Sequence, residues 1–357
     1  MNASVRELER QARSLLPAEV YDYIASGSGR EQTLRANLKA WRQVPLLPRA
    51  LRDVTSVDTR VRVGRVSLGT PVGVAPTGFH RSVHPDGEVA TAAGAARAGA
   101  LYVLSTRSSR RIEDVAAAVS AVGGTWWFQV YVLRDRELTA GLVRRAAAAG
   151  AAALVLTADT PVVGRKRRDR GVEFIPEDDY LANLGPLADL SATAQAPDVT
   201  FADIGWLGEV SGGLPVIVKG VLRPDDAVSC ARHGAAGVVV SNHGGRQLDG
   251  AVPTARALPA VVAALREAGA SCEVYVDGGL RSGEDILSAL ALGARAVFVG
   301  RPVLWALACG GAERVSELLA GLTDGLAHAM ALAGAGCVAD LAGVAWTSLD
   351  CGHTVRA

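Results

Sequence analysis

No stretch of the chain reaches the roughly 18 consecutive apolar residues that a membrane-spanning helix needs, so no partnership with a membrane is expected. Cysteine is scarce: five residues, at 230, 272, 309, 337 and 351, odd in number and without a C-x-x-C pair. That pattern argues against a disulfide framework or a zinc site and fits a reducing cytosol. Net charge is nearly absent as well, +1 over 357 residues, which leaves no electrostatic footprint for nucleic acid or an anionic surface. Residues 1–11 carry Arg6, Glu7, Glu9 and Arg10 and no apolar core, so no secretory leader is read there. The first apolar run, 71–76, is not followed by a glycine-rich dinucleotide turn, which weakens any nicotinamide reading. These absences together predict a soluble cytoplasmic protein with no metal site.

What the chain does have is a regular alternation. Eight short apolar runs, each closing in small or polar residues, lie at 71–76, 101–106, 126–132, 153–159, 215–221, 237–243, 273–279 and 296–302. Helical patterns separate most of them, at 86–98, 112–120, 136–149, 225–232, 258–268 and 283–292. Eight strand-then-helix units in succession predict an α/β fold, a (β/α)8 TIM barrel. We expect a single domain over 1–357, with an N-terminal helical extension or cap over 1–70, the barrel over 71–335, and a tail over 336–357. Residues 30–41 have helical spacing, and a helix near 312–332 is expected to close the barrel. The interval 164–214, after strand 4, is too long for one helix and predicts a long loop over the barrel mouth.

Strand parity sorts the polar residues. Side chains two apart on a strand share a face, so Gln129 and Tyr131 point the same way, as do Thr157 and Asp159, and Ser241 and His243. With Lys219 and Asp277 they converge on the carboxyl ends of five strands, where barrel enzymes carry out their chemistry. Among them Ser241-Asn242-His243-Gly244-Gly245-Arg246-Gln247 sets a possible proton acceptor three residues from a fixed cation. That pairing suits chemistry on a carboxylate-bearing substrate. After the last two strands, Asp277-Gly278-Gly279-Leu280-Arg281 and Gly300-Arg301 combine glycines with arginines at the usual barrel position for a phosphate. His80 and His84 read as loop histidines, since Pro85 argues against a helix that would align them on a metal.

These motifs, with Val20-Tyr21-Asp22-Tyr23 and Thr33-Leu34-Arg35 upstream, make the chain resemble the FMN-dependent 2-hydroxy acid oxidase/dehydrogenase family over about residues 5–335. The resemblance implies FMN as cofactor, a small-molecule 2-hydroxy acid as substrate, and O2 or another electron acceptor. It also implies a homo-oligomer, a tetramer. Position by position it implies His243 as the base, oriented and charge-stabilised by Asp159, with Arg246 and Tyr23 on the substrate carboxylate and Tyr131 at the hydroxyl. Lys219 falls at the flavin N1/O2 edge, and Ser105, Gln129 and Thr157 on the flavin ring. The backbone of Pro76, Thr77 and Gly78 falls near N5. Ser241 lies within the cofactor-binding motif, and Asp277 falls on the ribityl chain. Gly279, Arg281, Gly300 and Arg301 fall at the phosphate.

Four features depart from the family pattern. Arg107 replaces an apolar pocket residue after strand 2, Lys166 replaces an arginine, Arg170-Gly171-Val172-Glu173-Phe174 stands where the family has Arg-Asn-x-Phe, and Gly78 replaces an alanine common among the oxidases. Arg107 is either a salt-bridged surface residue or a pocket residue that favours a polar or acidic substrate side chain. Two other activities stay open at this point. One is oxidation of a 2-amino or peptide-derived intermediate at the same site; the other is a flavin-free lyase using Lys219 as a Schiff-base nucleophile.

Overall fold

A computed structural model describes residues 4–168, 172–185 and 190–345 of the chain. A hairpin of β1 (Val61–Val63) and β2 (Val66–Leu68) precedes eight parallel strands. These are β3 (Val72–Val74), β4 (Tyr102–Ser105), β5 (Trp126–Val130), β6 (Leu154–Thr157), β7 (Val216–Val221), β8 (Gly237–Val240), β9 (Glu273–Asp277) and β10 (Ala296–Val299). They pair in chain order, and β10 closes on β3, giving the (β/α)8 barrel that the alternation predicts.

Three helices come before the barrel: α1 (Val5–Leu15), α2 (Ala18–Ala25) and α3 (Gln32–Trp41). The connecting helices are α4 (Gly87–Arg97), α5 (Ile112–Ser120), α6 (Arg136–Ala148), the short α7 (Glu177–Tyr180), α8 (Ala202–Val210), α9 (Pro224–Arg232), α10 (Thr254–Glu267), α11 (Gly283–Ala291) and α12 (Arg301–Leu332). Helix α12 is two helical segments that meet at Gly310–Gly311, where the backbone leaves helical geometry. No described helix is long and apolar enough to cross a membrane.

The alternation of strand residues divides the core in two. Val72, Val74, Tyr102, Leu104, Leu154, Leu156, Val238 and Val240 face outward into the layer beneath the helices. Leu101, Val103, Trp127, Val155, Ile217, Val239, Tyr275 and Phe298 form a separate interior cluster. Trp127, Tyr275 and Phe298 meet there with ring centroids 5.5 to 6.0 Å apart. Val61, Val63 and Leu68 of the hairpin pack onto the same cluster. Among the described residues the barrel is therefore filled and stoppered at its amino end, which leaves the carboxyl-end mouth to receive a ligand.

Two features differ from the sequence expectation. The segment ahead of the barrel is not purely helical, because β1–β2 lies within it; Val61-Arg62-Val63 alternates buried, exposed, buried, with Gly64 turning the chain. The interval 164–214 is not all loop, since α8 buries Ile204 and Leu207 as the fourth barrel helix. Of the expected tail, Leu341, Val344 and Ala345 are buried, and Ala345 bridges to Leu46. Residues 346–357 lie outside the described residues.

Candidate active site

The mouth of the barrel holds a cavity of about 510 Å³, walled by the strand ends, by α2 and by the loop after β6. Its assembly starts with the turn after β8. There Asn242 accepts the Gly245 N–H at 3.2 Å and forms a reciprocal amide pair with Asn37 of α3, both bonds 2.8 Å. Asp249 accepts the backbone N–H groups of Arg30 (2.7 Å) and Thr33 (3.0 Å) at the start of α3. Gly245, at φ +76°, lies so close to α3 that an added Cβ would sit 2.6 Å from the Leu34 nitrogen. Much of the motif thus docks the N-terminal helices onto the mouth. The same turn holds His243 in a left-handed conformation, φ +57°. Only a rigid surround maintains that in a non-glycine residue.

His243 Nδ1 lies 3.0 Å from Asp159 Oδ1, and its backbone N–H donates to Ser241 Oγ at 3.0 Å. Gln247 donates to the Asp159 carbonyl at 2.8 Å, which ties the β6 loop to the same turn. Burial pushes the imidazole pKa below its ordinary value, with the Asp159 charge opposing and Lys219 and Arg246 adding to the depression. Burial acts to raise the Asp159 carboxyl. The charge and hydrogen bond of His243, with the Lys219 charge, outweigh it and hold the group below the usual carboxylate range. At neutral pH the pair is a neutral imidazole beside a carboxylate, ready to take up a proton and stabilise it. Tyr131 lies next to this pair, its phenol pushed up by burial and by the Asp159 and Tyr23 charges, so it stays a hydroxyl donor.

Lys219, 4 % exposed, donates to Ser241 Oγ at 3.0 Å and pairs with Asp277 Oδ2 at 3.3 Å. Gln129 accepts from Ser105 Oγ (3.0 Å) and donates to Thr157 Oγ1 (2.9 Å), a chain across β4, β5 and β6. Arg246 donates through Nη1 to the carbonyls of Tyr23 (2.7 Å) and Ser26 (3.1 Å), and its guanidinium lies 5.1 Å over the Tyr23 ring. Arg301 reaches the carbonyls of Ile24, Ser26 and Gly244 at 2.9 to 3.0 Å. Arg281 lies 5.5 Å from the Trp305 ring.

Most of the expected site residues line the cavity: Tyr23, Pro76, Thr77, Gly78, Ser105, Tyr131, Lys219, His243, Arg246, Asp277, Gly279, Arg281, Gly300 and Arg301, with Arg107 and Lys166. Gln129, Thr157, Asp159 and Ser241 stand one layer behind and orient those in front. Arg107 is no salt-bridged surface residue; it lines the cavity and donates to the Thr193 carbonyl at 2.6 Å. The sequence reading missed Phe79, Tyr180 and Gln195 in the wall. Tyr180 and Gln195 arrive by folding of the 164–214 interval, which no local pattern signals; Phe79 directly follows the Pro76–Gly78 segment. His80 is buried between Thr77 Oγ1 (2.7 Å) and Thr91 Oγ1 (2.8 Å), a structural histidine. Among the described residues no cluster of His, Cys, Asp or Glu could hold a metal.

The residues present fit FMN. Burial pushes Arg281 down to about 10, and burial with the Arg246 and Arg281 charges pushes Arg301 well below its ordinary value. Neither guanidinium pairs with a carboxylate among the described residues. Crowded cations of this kind call for an anion, and they stand where a barrel takes phosphate. Asp277 Oδ1 is buried with no hydrogen-bond partner, an acceptor free for a ribityl hydroxyl. The buried Lys219 ammonium can hold charge on a flavin ring.

The family model of FMN-dependent dehydrogenases matches residues 12–347. A 4-hydroxymandelate oxidase from Amycolatopsis orientalis is 46% identical over 343 residues, covering 93% of this chain and 94% of that one. An L-lactate oxidase from Nostoc sp. is 43% identical, covering 94% and 95%. A crystal structure of mandelate oxidase superposes with a TM-score of 0.88 at 45% identity, covering 96% of this chain and 97% of that one. With the barrel, the histidine–carboxylate pair and the paired guanidiniums of the mouth already described, these matches mean that the chain belongs to the FMN-dependent dehydrogenase family and takes FMN as its cofactor.

Proposed function

We propose that this protein oxidises an L-2-hydroxy acid to the corresponding 2-keto acid. The observation that carries the reading is the His243–Asp159 pair, 3.0 Å apart, opening with Arg246 onto the cavity that also holds the phosphate-seeking arginines. Arg246 has no carboxylate partner among the described residues and only Nη1 engaged by protein carbonyls, which suits it to grip the substrate carboxylate, with Tyr23 beside it. Tyr131 hydrogen-bonds the substrate hydroxyl. His243 Nε2 takes the hydroxyl proton, and Asp159 stabilises the imidazolium that results. FMN, when bound, supplies the two-electron acceptor that no side chain here provides. Asp277 would hold its ribityl chain, and Gly279, Arg281, Gly300 and Arg301 its phosphate. Ser105, backed by Gln129 and Thr157, would hold its ring, with Lys219 at the N1/O2 edge and the backbone of 76–78 near N5.

O2 is the electron acceptor we favour, since the similar proteins are oxidases by name. A Schiff base at Lys219 is disfavoured, because Asp277 and Ser241 engage the ammonium as a cation. We place the protein in the cytoplasm, in keeping with its four described cysteines, all thiols, and as a homotetramer on the family resemblance. The test is anaerobic mixing of the FMN-loaded protein with 2-hydroxy acids and with the matching 2-amino acids. Bleaching of the flavin by a 2-hydroxy acid, with formation of the 2-keto acid, is expected. Bleaching by 2-amino acids alone would overturn the proposal.

A further inference from the structure

Six cationic side chains line the cavity, against one carboxylate, Asp277, among its described residues. Lys219 takes Asp277, Arg281 and Arg301 suit a phosphate, and Arg246 suits the carboxylate at C1. Arg107 is the guanidinium with nothing anionic to meet. Its Nη2 donates to the Thr193 carbonyl, its Nη1 is buried without a hydrogen-bond partner, and no carboxylate pairs with it among the described residues. Gln195, in the wall of the same cavity, also has a buried Oε1 without a partner. A half-turn of that amide offers an NH2 instead.

The two guanidiniums stand at opposite ends of one aromatic row. Arg246 lies 5.1 Å over Tyr23; Tyr23 meets Phe79 at 6.3 Å; Phe79 stacks on Tyr180 at 5.9 Å; and Arg107 lies 5.0 Å over Tyr180. Tyr131 is close enough to feel the charges of both arginines. Arg107 is also built in rather than draped over the mouth. The backbone at Gly78 packs against it so closely that an added Cβ would sit 2.8 Å from both its Cβ and its carbonyl oxygen.

We propose that the substrate is a 2-hydroxy acid carrying a second anionic group, which Arg107 binds at the far end of this row from Arg246. The inference rests on the hydroxy acid reading above and names the substrate class for that site. A buried guanidinium nitrogen left without an acceptor, as Arg107 Nη1 is, is costly, and a charge-assisted bond to a carboxylate removes the cost. Arg107 acts on choice of substrate and leaves the oxidation itself to His243.

The experiment compares kcat/KM for 2-hydroxysuccinate, 2-hydroxyglutarate, 2-hydroxyadipate and 4-carboxymandelate with their uncharged counterparts 2-hydroxybutyrate, 2-hydroxyvalerate, 2-hydroxyhexanoate and mandelate. Dissociation constants of the 2-keto products, read from the flavin spectrum, give a second measure. At least one diacid is expected to exceed its counterpart by about tenfold or more. Arg107→Met, or Arg107→Gln if the first does not load FMN, should erase that ratio. A wild-type preference for every monoacid overturns the proposal, whatever the variants do. So does a diacid preference that survives loss of the guanidinium. If no 2-hydroxy acid bleaches the flavin, the hydroxy acid reading itself has failed; bleaching by monoacids alone removes only the second anionic group.

Discussion

Replacing Asp159 by asparagine keeps the shape of the site and removes one charge. Asp159 Oδ1 sits 3.0 Å from His243 Nδ1, and the two side chains are 13% and 19% exposed, so water screens them little. Two unit charges at that separation attract by about 5 kcal/mol at an effective dielectric of about 20. The asparagine still accepts a neutral hydrogen bond, and the difference between a charge-assisted and a neutral bond is about 1 kcal/mol. The loss of imidazolium stabilisation falls between these bounds. About 3 kcal/mol slows flavin reduction by on the order of a hundredfold.

The sign of the pH effect gives a second reading of the same variant. The His243 pKa lies below 6.5 in the folded protein, through burial first, with the Asp159 charge raising it and Lys219 and Arg246 lowering it. In the wild type, kcat/KM should therefore rise with pH along an acid limb below 6.5 and then level off. Taking away the Asp159 charge removes the raising influence, so the limb shifts to lower pH even as the plateau falls. The assay is anaerobic stopped-flow reduction of the bound flavin from about pH 4.5 to about 8, a range that brackets the ordinary imidazole pKa. A variant within threefold of wild type, or a limb that moves upward, would refute the charge-stabilisation argument.

Three further predictions concern the frame of the site. Lys219→Met leaves Asp277 buried and unpaired, which costs about 3–5 kcal/mol; FMN retention and the thermal midpoint should both fall, and an unchanged midpoint would contradict the pairing. Gly78→Ala drives a methyl to 2.8 Å from the Arg107 carbonyl, an overpacking cost of about 1–3 kcal/mol, and should lower the melting temperature without loss of His243; a neutral result would mean the loop is free to move. Asp249→Ala removes the acceptor for two N–H groups at the start of α3, worth about 1–2 kcal/mol. Hydrogen exchange should accelerate over residues 30–41 while the barrel strands keep their protection.

The barrel was legible because its strands are short, apolar and spaced by helices. Parity set Gln129 with Tyr131, Thr157 with Asp159, and Ser241 with His243 on shared faces, and the division of the core follows the same rule. The hairpin escaped notice because three-residue strands leave too little alternation to stand out, although Val61 and Val63 bracket an exposed Arg62. Helix α8 was hidden by Gly205 and Gly208, which weaken a helical pattern whose buried apolar residues are only Ile204 and Leu207. Tyr180 and Gln195 owe their place in the cavity to long-range packing of the 164–214 interval, on which composition is silent. Arg107 was visible as a departure from the family pattern. The burial of its Nη1, and its stacking on Tyr180, needed coordinates.

The proposed reaction has one imidazole, held by a carboxylate, take the proton of a substrate gripped over FMN. It is tested most directly by anaerobic mixing of FMN-loaded wild type and His243→Gln with the 2-hydroxy acid that the wild type reduces fastest. The variant should retain FMN and show substrate-induced changes in the flavin spectrum, yet keep its flavin oxidised on the timescale of wild-type bleaching. Reduction of the variant's flavin at the wild-type rate would contradict it.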